Sequence, residues 1–475
     1  MLALLLVHDL LLVKTGVALP QSHGLRATVE RHKGRLAAEL TRVRIRRKAA
    51  SLELLRAQIE EEAGADSRHP RWVRVNTLKS SVQDQLAQAF AGFAQVGSVS
   101  ELLRPGAKGV YVDEHVPHLL AVSPGVDLTK TEAYQSGAII LQDKASCFPA
   151  YLLDPSDDDG QIIDACAAPG NKTTHLAAIL RSRQGTSPAL PRQTVLAFEK
   201  DKLRALSLQK MVKTAGAHEV TCIHAGYDFL RVDPADPSYR HIGALLLDPS
   251  CSGSGIVGRD VMPELHLPST DAAGRAANPT GKRGHRKRKR AEAPEDPPTA
   301  AATTIVVDDD GEETVVASAQ DLGARLAALA SFQLALLVHA FAFPAATKAT
   351  YSTCSVHAEE NEQVVTRALR SPVARRRGWR LLHRDRQVAG LRAWPVRGDV
   401  AAADGDEALA DACIRAYPGD GRGVMGFFVA AFVRDSGHQD AGADNLHETT
   451  HGVAGLGSDA ASAAPGDSEW EGFDD

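Results

Sequence analysis

The sequence has few aromatic residues, no excess of basic charge and no metal-binding cysteine pattern. Aromatic side chains make up 5% of its 475 residues, and the formal net charge is −5. This charge excludes a protein that binds nucleic acid through its whole surface, so such binding would need a local basic patch. The six cysteines include no Cys-x-x-Cys pair and no zinc-type cluster with histidine. We therefore expect no metal site, and reduced thiols in an intracellular protein.

The chain also lacks a long hydrophobic run at its start. The apolar residues from Met1 to Val13 are interrupted by His8 and Asp9, and no basic segment precedes them. A membrane-spanning helix needs roughly 20 apolar residues, and a secretory signal begins with a basic region. The pattern therefore favours an amphipathic or core helix over a targeting segment, and predicts no membrane partner.

Residues 1–66 are predicted to form a helical region. Leucine and isoleucine recur at helical spacing over 24–63, among many charged residues. The basic stretch 42–48 has two interpretations, which the sequence alone leaves open. It is either a solvated helix surface or a contact for RNA phosphates.

A small α/β domain is predicted over residues 67–130. Residues 72–77 alternate like a strand after Pro70, and 110–112 form a second short strand. Between them, 82–93 has a helical pattern.

From residue 131 to 434 the pattern becomes regularly βαβ, which predicts a parallel sheet covered by helices on both faces. The predicted strands are 161–164, 194–199, 219–224, 242–248, 348–353 and a final buried strand over 425–433. The predicted helices are 172–181, 202–216 and 321–343.

Two segments have too few apolar residues to offset the entropy of ordering them, so disorder is expected there. They are the insertion 259–320 and the acidic tail 435–475. The insertion carries nine consecutive residues, 282–290, that are basic except for one glycine and one histidine. This run predicts nuclear localisation or nucleic-acid binding, with a solubilising charge run as the alternative.

The first βα turn of the predicted sheet indicates a ligand site. Residues 164–170 are mostly small, which lets the backbone approach a ligand at the N-terminus of the next helix. Glu199 ends the second strand, where an acidic side chain holds ribose hydroxyls in doubly wound folds. Asp228 follows the third strand and is a candidate for a polar base edge. The Gly-x-Gly-x-x-Gly pattern at 253–258 is not a dinucleotide site, because no helix is predicted after it.

Cys251 and Cys354 each follow a strand-like apolar run, amid Ser, Thr and Gly. Ligands bind at the carboxyl ends of strands in such sheets, so the two thiols suggest covalent chemistry beside a nucleotide-like cofactor. A thiol needs help to form thiolate, and Lys172 is a candidate cation. The residues alone do not choose which cysteine is the nucleophile. The other cysteines are expected to be small buried or turn residues.

Five segments of the chain together resemble one family. They are DACAAPGNKT (164–173), LLLDPSCSGSG (245–255), YSTCSVHAEENEQVV (351–365), RVNTL (74–78) and ILQDKAS (140–146). These closely resemble the Sun-domain (NSUN/Fmu) RNA cytosine-5 methyltransferases over roughly 70–434. The order Asp-Pro-Ser-Cys resembles the branch that acts on large-subunit ribosomal RNA.

The resemblance implies a Rossmann-like, S-adenosylmethionine-dependent methyltransferase with a seven-stranded, mostly parallel sheet. It implies RNA as partner, with the small α/β domain 67–130 as an RNA-binding domain. It also implies a monomer and a nuclear and nucleolar location. By this matching Cys354 is the nucleophile and Cys251 assists product release, while Asp248 and Lys172 contact the cytosine. The implied cofactor-binding residues are Cys166, Ala167, Ala168, Pro169, Gly170, Asn171, Lys172, Glu199, Arg204, Asp228 and Asp248.

Four alternatives remain at this stage. DNA cytosine-5 methyltransferases use the cysteine at the position of Cys251, which would reverse the two roles. A non-catalytic RNA-binding scaffold with the same fold is the main rival function. The other two are a methyltransferase acting on protein or a small molecule, and a cysteine hydrolase built on Cys354 and His357.

Overall fold

The architecture comes from a computed structural model, which describes residues 2–62, 69–104, 106–183, 193–256, 304–307, 313–316 and 319–435. Its helices are α1 Leu2–Leu12, α2 Gly24–Glu30, α3 Lys33–Arg46, α4 Leu52–Glu62, α5 Val82–Ala87, α6 Val99–Leu102, α7 Glu132–Gln135, α8 Phe148–Leu153, α9 Asn171–Arg183, α10 Lys202–Ala215, α11 Ala319–Ala340, α12 Glu362–Leu369, α13 Pro372–Arg377, α14 Ala389–Ala393 and α15 Glu407–Ala412. Its strands are β1 Arg71–Val75, β2 Ala94–Gln95, β3 Gly109–Val112, β4 Leu119–Val122, β5 Ile139–Leu141, β6 Gln161–Asp164, β7 Val195–Glu199, β8 Thr221–Ala225, β9 Ile242–Leu247, β10 Thr304–Val307, β11 Glu313–Val316, β12 Lys348–Thr353, β13 Arg380–Leu381, β14 Ile414–Ala416 and β15 Phe427–Val433.

The large sheet has the strand order β13-β15-β12-β9-β6-β7-β8. The five strands from β12 to β8 are parallel, and β15 runs antiparallel beside β12. Both β13 and β14 pair with β15, at opposite ends of it. Within the described residues this sheet therefore has eight strands, one more than the predicted seven, and the prediction of a mostly parallel sheet is confirmed.

Strand β9 shows why the sheet is covered on both faces. All six of its residues are buried. Leu245 and Leu247 share a core cluster with Leu337 of α11, whereas Leu246 packs with Leu176 of α9 on the other face. A continuous apolar run is what a strand buried on both faces requires.

Helix α11 is long and apolar enough, by length and composition, to cross a membrane. Its Gln333, Leu336 and Leu337 are buried in the protein. The expectation that the protein binds no membrane stays a prediction.

The small domain is a five-stranded sheet of order β2-β3-β4-β1-β5. Strand β5 pairs with β1, and Ile139 packs with Val73 and Val75. The predicted boundary at residue 130 was therefore too early, because β5 completes this core. The predicted helix 82–93 was also too long. It ends at Ala87, and Phe90, which follows the helix, is buried in the same core.

Two further expectations need correction. The single helical stretch 24–63 is three helices, and α3 ends where Lys48 adopts a positive φ of 53°. Part of the insertion expected to be disordered instead forms the antiparallel pair β10 and β11. Residues 319–320 of that insertion begin α11. The rest of it, with the basic run, lies outside the described residues, as does the tail 436–475.

Candidate active site

Strands β9 and β12 bring two motifs to one edge of the sheet. They are parallel neighbours, with Leu247 paired to Tyr351. The residues that follow this pair, Asp248 just after β9 and Ser352 in β12, therefore meet at the carboxyl end of the sheet. The Ser352 hydroxyl donates to Asp248 Oδ1 at 2.5 Å. This edge is where ligands bind in open α/β sheets.

The two strand-end cysteines also meet. Their sulfur atoms, Cys251 Sγ and Cys354 Sγ, lie 3.0 Å apart. Cys251 is fully buried, whereas Cys354 is partly exposed and lines a cavity. Gly255 N–H donates to the Cys354 carbonyl at 2.9 Å, which ties the two loops together. Of the two sulfurs, that of Cys354 is the one a ligand in the cavity can reach.

A buried polar network supports the cysteine loops. The Ser252 and Ser355 hydroxyl oxygens lie 3.1 Å apart, and Ser252 N–H donates to Glu360 Oε1 at 3.0 Å. The same carboxylate oxygen accepts from Gln333 Nε2 at 2.9 Å. Sequence reasoning missed these positioning residues, although Ser252, Ser355 and Glu360 stand inside the quoted motifs.

Lys172 and Asp248 form an ion pair inside the site. Lys172 Nζ lies 2.5 Å from Asp248 Oδ2 and 3.2 Å from the Ser146 hydroxyl oxygen, a contact that the sequence did not predict. Burial by itself lowers the pKa of Lys172, but the Asp248 carboxylate and the charge of the Cys354 thiolate outweigh it and raise that pKa. Lys172 is therefore a fixed cation that interacts with both the carboxylate and the sulfur.

Asp164 lies under the small-residue turn. Burial raises the pKa of its carboxyl group to about 7, and the Thr173 hydroxyl, which donates to Oδ2 at 2.7 Å, opposes that rise. The turn above it contains a positive φ at Gly170, 110°, a backbone conformation that L side chains rarely adopt.

The turn is also held from strand β7 and helix α10. Glu199 accepts the N–H of Ala168 at 3.2 Å and that of Asp201 at 2.9 Å. Arg204 Nη2 donates to the Ala168 carbonyl at 3.3 Å. Both predicted residues are therefore at the turn, and Ala168 is fixed from two directions.

Buried Arg74 joins the small domain to the turn. Its Nε donates to Gln142 Oε1 at 2.7 Å, and its Nη2 donates to Thr174 Oγ1 at 2.9 Å and to the Asn171 carbonyl at 3.3 Å. Burial lowers the pKa of Arg74 to about 10. The arginine of the RVNTL segment thus links the two domains beside the site.

The site cavity has a volume of about 420 Å³ and lies between the two domains. Six predicted cofactor residues line it: Ala168, Pro169, Asn171, Lys172, Arg204 and Asp248. The small domain and its connection contribute His69, Pro70, Arg71, Trp72, Leu141, Gln142, Asp143 and Ser146. The remaining lining residues are Pro249, Ser250, Ile256, Cys354, Met425, Gly426 and Phe427.

The other predicted cofactor residues are not in the cavity lining. Ala167, Gly170 and Glu199 lie in or against the turn behind it. Cys166 packs against the core, and burial raises the pKa of its thiol. Asp228 makes local contacts instead of lining the cavity. It caps the following 3-10 turn by accepting the Leu230 N–H, and its Oδ2 is 3.2 Å from Lys200 Nζ.

The cavity fits S-adenosylmethionine in size and charge. Sites for small molecules typically measure about 300–1,000 Å³. The amino-acid end of this molecule carries both a carboxylate and an ammonium, and the cavity offers Arg204 and Asp248. Within the described ranges no group of three or more His, Cys, Asp or Glu side chains could hold a metal ion.

The mostly parallel sheet with an antiparallel strand beside β12, and a cavity at its carboxyl edge, defines a Rossmann-like methyltransferase. Residues 150–272 match the family model "16S rRNA methyltransferase RsmB/F". Residues 69–142 match "NOL1/NOP2/Sun domain family member 5, ferredoxin-like domain", which agrees with the corrected domain boundary.

Named relatives match most of the chain. The 25S rRNA (cytosine-C(5))-methyltransferase rcm1 of Schizosaccharomyces pombe is 35% identical over 90% of this chain and 76% of its own length. The 28S rRNA (cytosine-C(5))-methyltransferase of Mus musculus is 34% identical over 91% and 76%. The Arabidopsis thaliana 25S rRNA (cytosine-C(5))-methyltransferase NSUN5 is 33% identical over 85% of this chain and 55% of its own length. The chain belongs to the Sun-domain family of S-adenosylmethionine-dependent RNA cytosine-C5 methyltransferases, and the predicted family is confirmed.

Proposed function

We propose that this protein methylates carbon 5 of a cytosine in large-subunit ribosomal RNA. The observation that carries the proposal is the position of Cys354, at the wall of the cavity, 3.0 Å from Cys251. The choice of RNA is supported by the names of the fission yeast and mouse relatives, which act on 25S and 28S rRNA.

The first step is attack by Cys354 on carbon 6 of the cytosine. Carbon 5 is a poor nucleophile until a C6–S bond forms and the electrons of the C5–C6 double bond move toward carbon 5. A nearby ammonium favours the thiolate that attacks, and Lys172 supplies it. Asp248, held by Lys172 and Ser352, accepts a hydrogen bond from the amino group on the Watson–Crick edge.

Bound S-adenosylmethionine supplies the methyl group. The residues proposed to hold it are the 166–172 turn, Glu199, Arg204 and Asp248. Asp228 is still proposed to contact a polar edge of the cofactor's base, although it does not line the cavity. The turn would bring backbone close to the ligand, and Glu199, which accepts the Ala168 N–H, would hold the ribose hydroxyls.

Product release completes the reaction. A base removes the carbon 5 proton, the C5–H electrons restore the C5–C6 double bond, and the C6–S bond breaks toward the sulfur of Cys354. Cys251, with its sulfur 3.0 Å from that sulfur, assists by hydrogen-bonding the departing thiolate.

Bisulfite mapping of ribosomal RNA from cells that lack this protein tests the proposal. We expect one or more cytosines of large-subunit rRNA to lose methylation, and to regain it when the wild-type gene, but not a Cys354→Ala gene, is restored. Unchanged methylation of every large-subunit cytosine would contradict the choice of substrate.

The cellular location and assembly are part of this proposal. Action on ribosomal RNA would place the protein in the nucleus and nucleolus, and the basic run 282–290 is the proposed signal. We expect deletion of that run to move a fluorescent fusion to the cytoplasm, and nucleolar retention would contradict its role. A monomer is expected, which sedimentation tests directly.

A further inference from the structure

A concentration of positive charge lies in the N-terminal helical region. Residues 31–48 contain one acidic side chain, Glu39, although the whole chain has a formal net charge of −5. The basic side chains of this stretch are Arg31, Lys33, Arg35, Arg42, Arg44, Arg46, Arg47 and Lys48.

Helix α3 presents three of these cations in one line. None of its residues, from Lys33 to Arg46, is buried, and Arg35, Arg42 and Arg46 are exposed. At 100° per residue, positions seven and eleven residues after Arg35 point within about 20° of its own direction, and the line is about 17 Å long. We call these three side chains the basic helix surface.

The local structure does not account for this arrangement. Arg42 and Arg46 are like charges four residues apart, which destabilises a helix. Glu39 lies 2.6 Å from Arg42, but both side chains are more than half exposed, and such pairs contribute little in water. The charges gain most from an anionic partner that covers the surface.

RNA, the substrate proposed above, is the anionic partner that fits this surface. A cavity of about 420 Å³ has the size of a small-molecule site, so affinity for a polynucleotide must come largely from contacts outside it. Phosphate contacts supply most of that affinity and fix the register of the nucleic acid. A nucleic-acid backbone presents a repeating row of charges that a line of arginines can contact together.

We propose that the basic helix surface binds the phosphate backbone of the RNA substrate at a site separate from the catalytic cavity. The nature of this RNA rests on the proposed function. The surface would anchor RNA flanking the target cytosine and would act equally on all sequences, since phosphate contacts carry no sequence information.

The test uses the full-length protein with Arg35, Arg42 and Arg46 all changed to Gln, which retains helix propensity. A matched control changes the exposed Arg367, Arg375 and Arg376 to Gln, so that both proteins lose three charges. Binding of a fluorescent RNA stem–loop is measured over a range of salt concentrations. The salt slope of log Kd should fall by about 2 to 3 in the first variant, at roughly 0.7–0.9 per phosphate contact, and remain unchanged in the control.

An unchanged salt slope in the triple Gln variant, or an equal fall in the control, would overturn the proposal. So would a variant that loses binding to phosphatidylserine vesicles but keeps RNA binding, since the partner of the surface would then be a lipid. Far-UV circular dichroism shows whether the variant remains folded. A variant with Lys at all three positions keeps the charge and should keep the slope, which separates charge loss from unfolding. Stabilisation by S-adenosylhomocysteine should be the same in every protein. If the wild-type protein shows the salt-dependent RNA binding but methylates no cytosine, the proposed function is wrong. The proposal for the basic helix surface would still hold.

Discussion

The sulfur atoms of Cys251 and Cys354 lie 3.0 Å apart, although 103 residues separate them in the chain. Parallel pairing of β9 with β12 brings the two loops together, and the serine and Glu360 network holds them there. The difference in burial between the sulfurs separates their proposed roles: the partly exposed sulfur of Cys354 attacks, and the buried sulfur of Cys251 assists release.

Substitution of the cysteines should separate attack from release. Cys354→Ala should abolish methylation and the covalent adduct, since no sulfur would reach carbon 6. Cys251→Ala should accumulate a protein–RNA species on denaturing gels. Cys222→Ala serves as control and should behave as wild type, because Cys222, which was expected to be buried, is an exposed residue of β8. The reverse behaviour of the first two variants would exchange the roles.

Lys172→Met should lower kcat by about 100-fold, the lower end of what a general acid or base contributes. It should also destabilise the fold by about 3 kcal/mol, because Asp248 would lose its cationic partner. The matched control is Lys348→Met, which breaks a 2.7 Å pair with Asp159 away from the cavity. It should cost stability but leave kcat unchanged. Equal loss of kcat in both would show that Lys172 acts only through stability.

The ion pair of Lys172 with Asp248 also predicts how the free energy of unfolding depends on pH. Because the folded-state pKa of Lys172 is raised, its contribution to stability is full below the ordinary lysine pKa of about 10.4 and is lost as pH rises through the folded value. The difference in unfolding free energy between wild type and Lys172→Met should therefore shrink only above about pH 10. Urea titrations on both sides of that pH measure it, and shrinkage in the neutral range would contradict the assignment.

Asp164→Asn should remove a pH dependence in the acidic range. The folded-state pKa of about 7 exceeds the unfolded value of about 3.9. The stability that this group contributes is full below about pH 4 and is lost as pH rises through about 7, by up to roughly 4 kcal/mol. The variant should therefore gain stability relative to wild type between about pH 4 and pH 8 in urea unfolding. A constant difference would mean that Asp164 is ionised throughout.

Glu199→Gln should weaken the binding of S-adenosylhomocysteine about tenfold, because one charge-assisted hydrogen bond is lost. The affinity for RNA should be unchanged. Isothermal calorimetry measures the first and fluorescence anisotropy the second. The control is Glu219→Gln, at an exposed carboxylate paired with Arg181, which should alter neither. Unchanged cofactor affinity in Glu199→Gln would reduce its role to fixing Ala168.

Gly255→Ala should displace the Cys354 loop. An added Cβ would lie 2.3 Å from the Gly426 carbonyl oxygen and 2.8 Å from that of Cys354, distances at which backbone must move. We expect loss of methylation with a modest fall in melting temperature. Gly323→Ala, in α11 with open space around it, should stabilise slightly and keep full activity. Full activity of Gly255→Ala would show that the loop adapts.

The family, the main strands and the cavity residues of the turn were predictable from the sequence, because each depends on a continuous run of residues. Strand β9 is six consecutive apolar residues, and the 164–173 motif is contiguous. The extent of the small domain was not predictable in this way. Strand β5 belongs to it through pairing with β1, some 65 residues earlier, and no local pattern records such a partner.

Asp228 shows the same limit at the site. Its place after the third strand predicts a ligand contact, which stays a prediction, and the structure shows that its carboxylate also caps a turn and lies beside Lys200. Local hydrogen bonds compete for an aspartate after a strand, and sequence position does not tell which partner wins.

The sequence by itself determined the chemistry available to this protein: two strand-end thiols, a carboxylate, a lysine and a turn of small residues. Only the tertiary structure decided that one sulfur faces the cavity and the other is buried, and that Lys172 lies on Asp248. The reason is physical. Periodicity and motif depend on neighbours along the chain, whereas exposure, ion pairing and pKa depend on neighbours in space, which strand pairing and packing bring together.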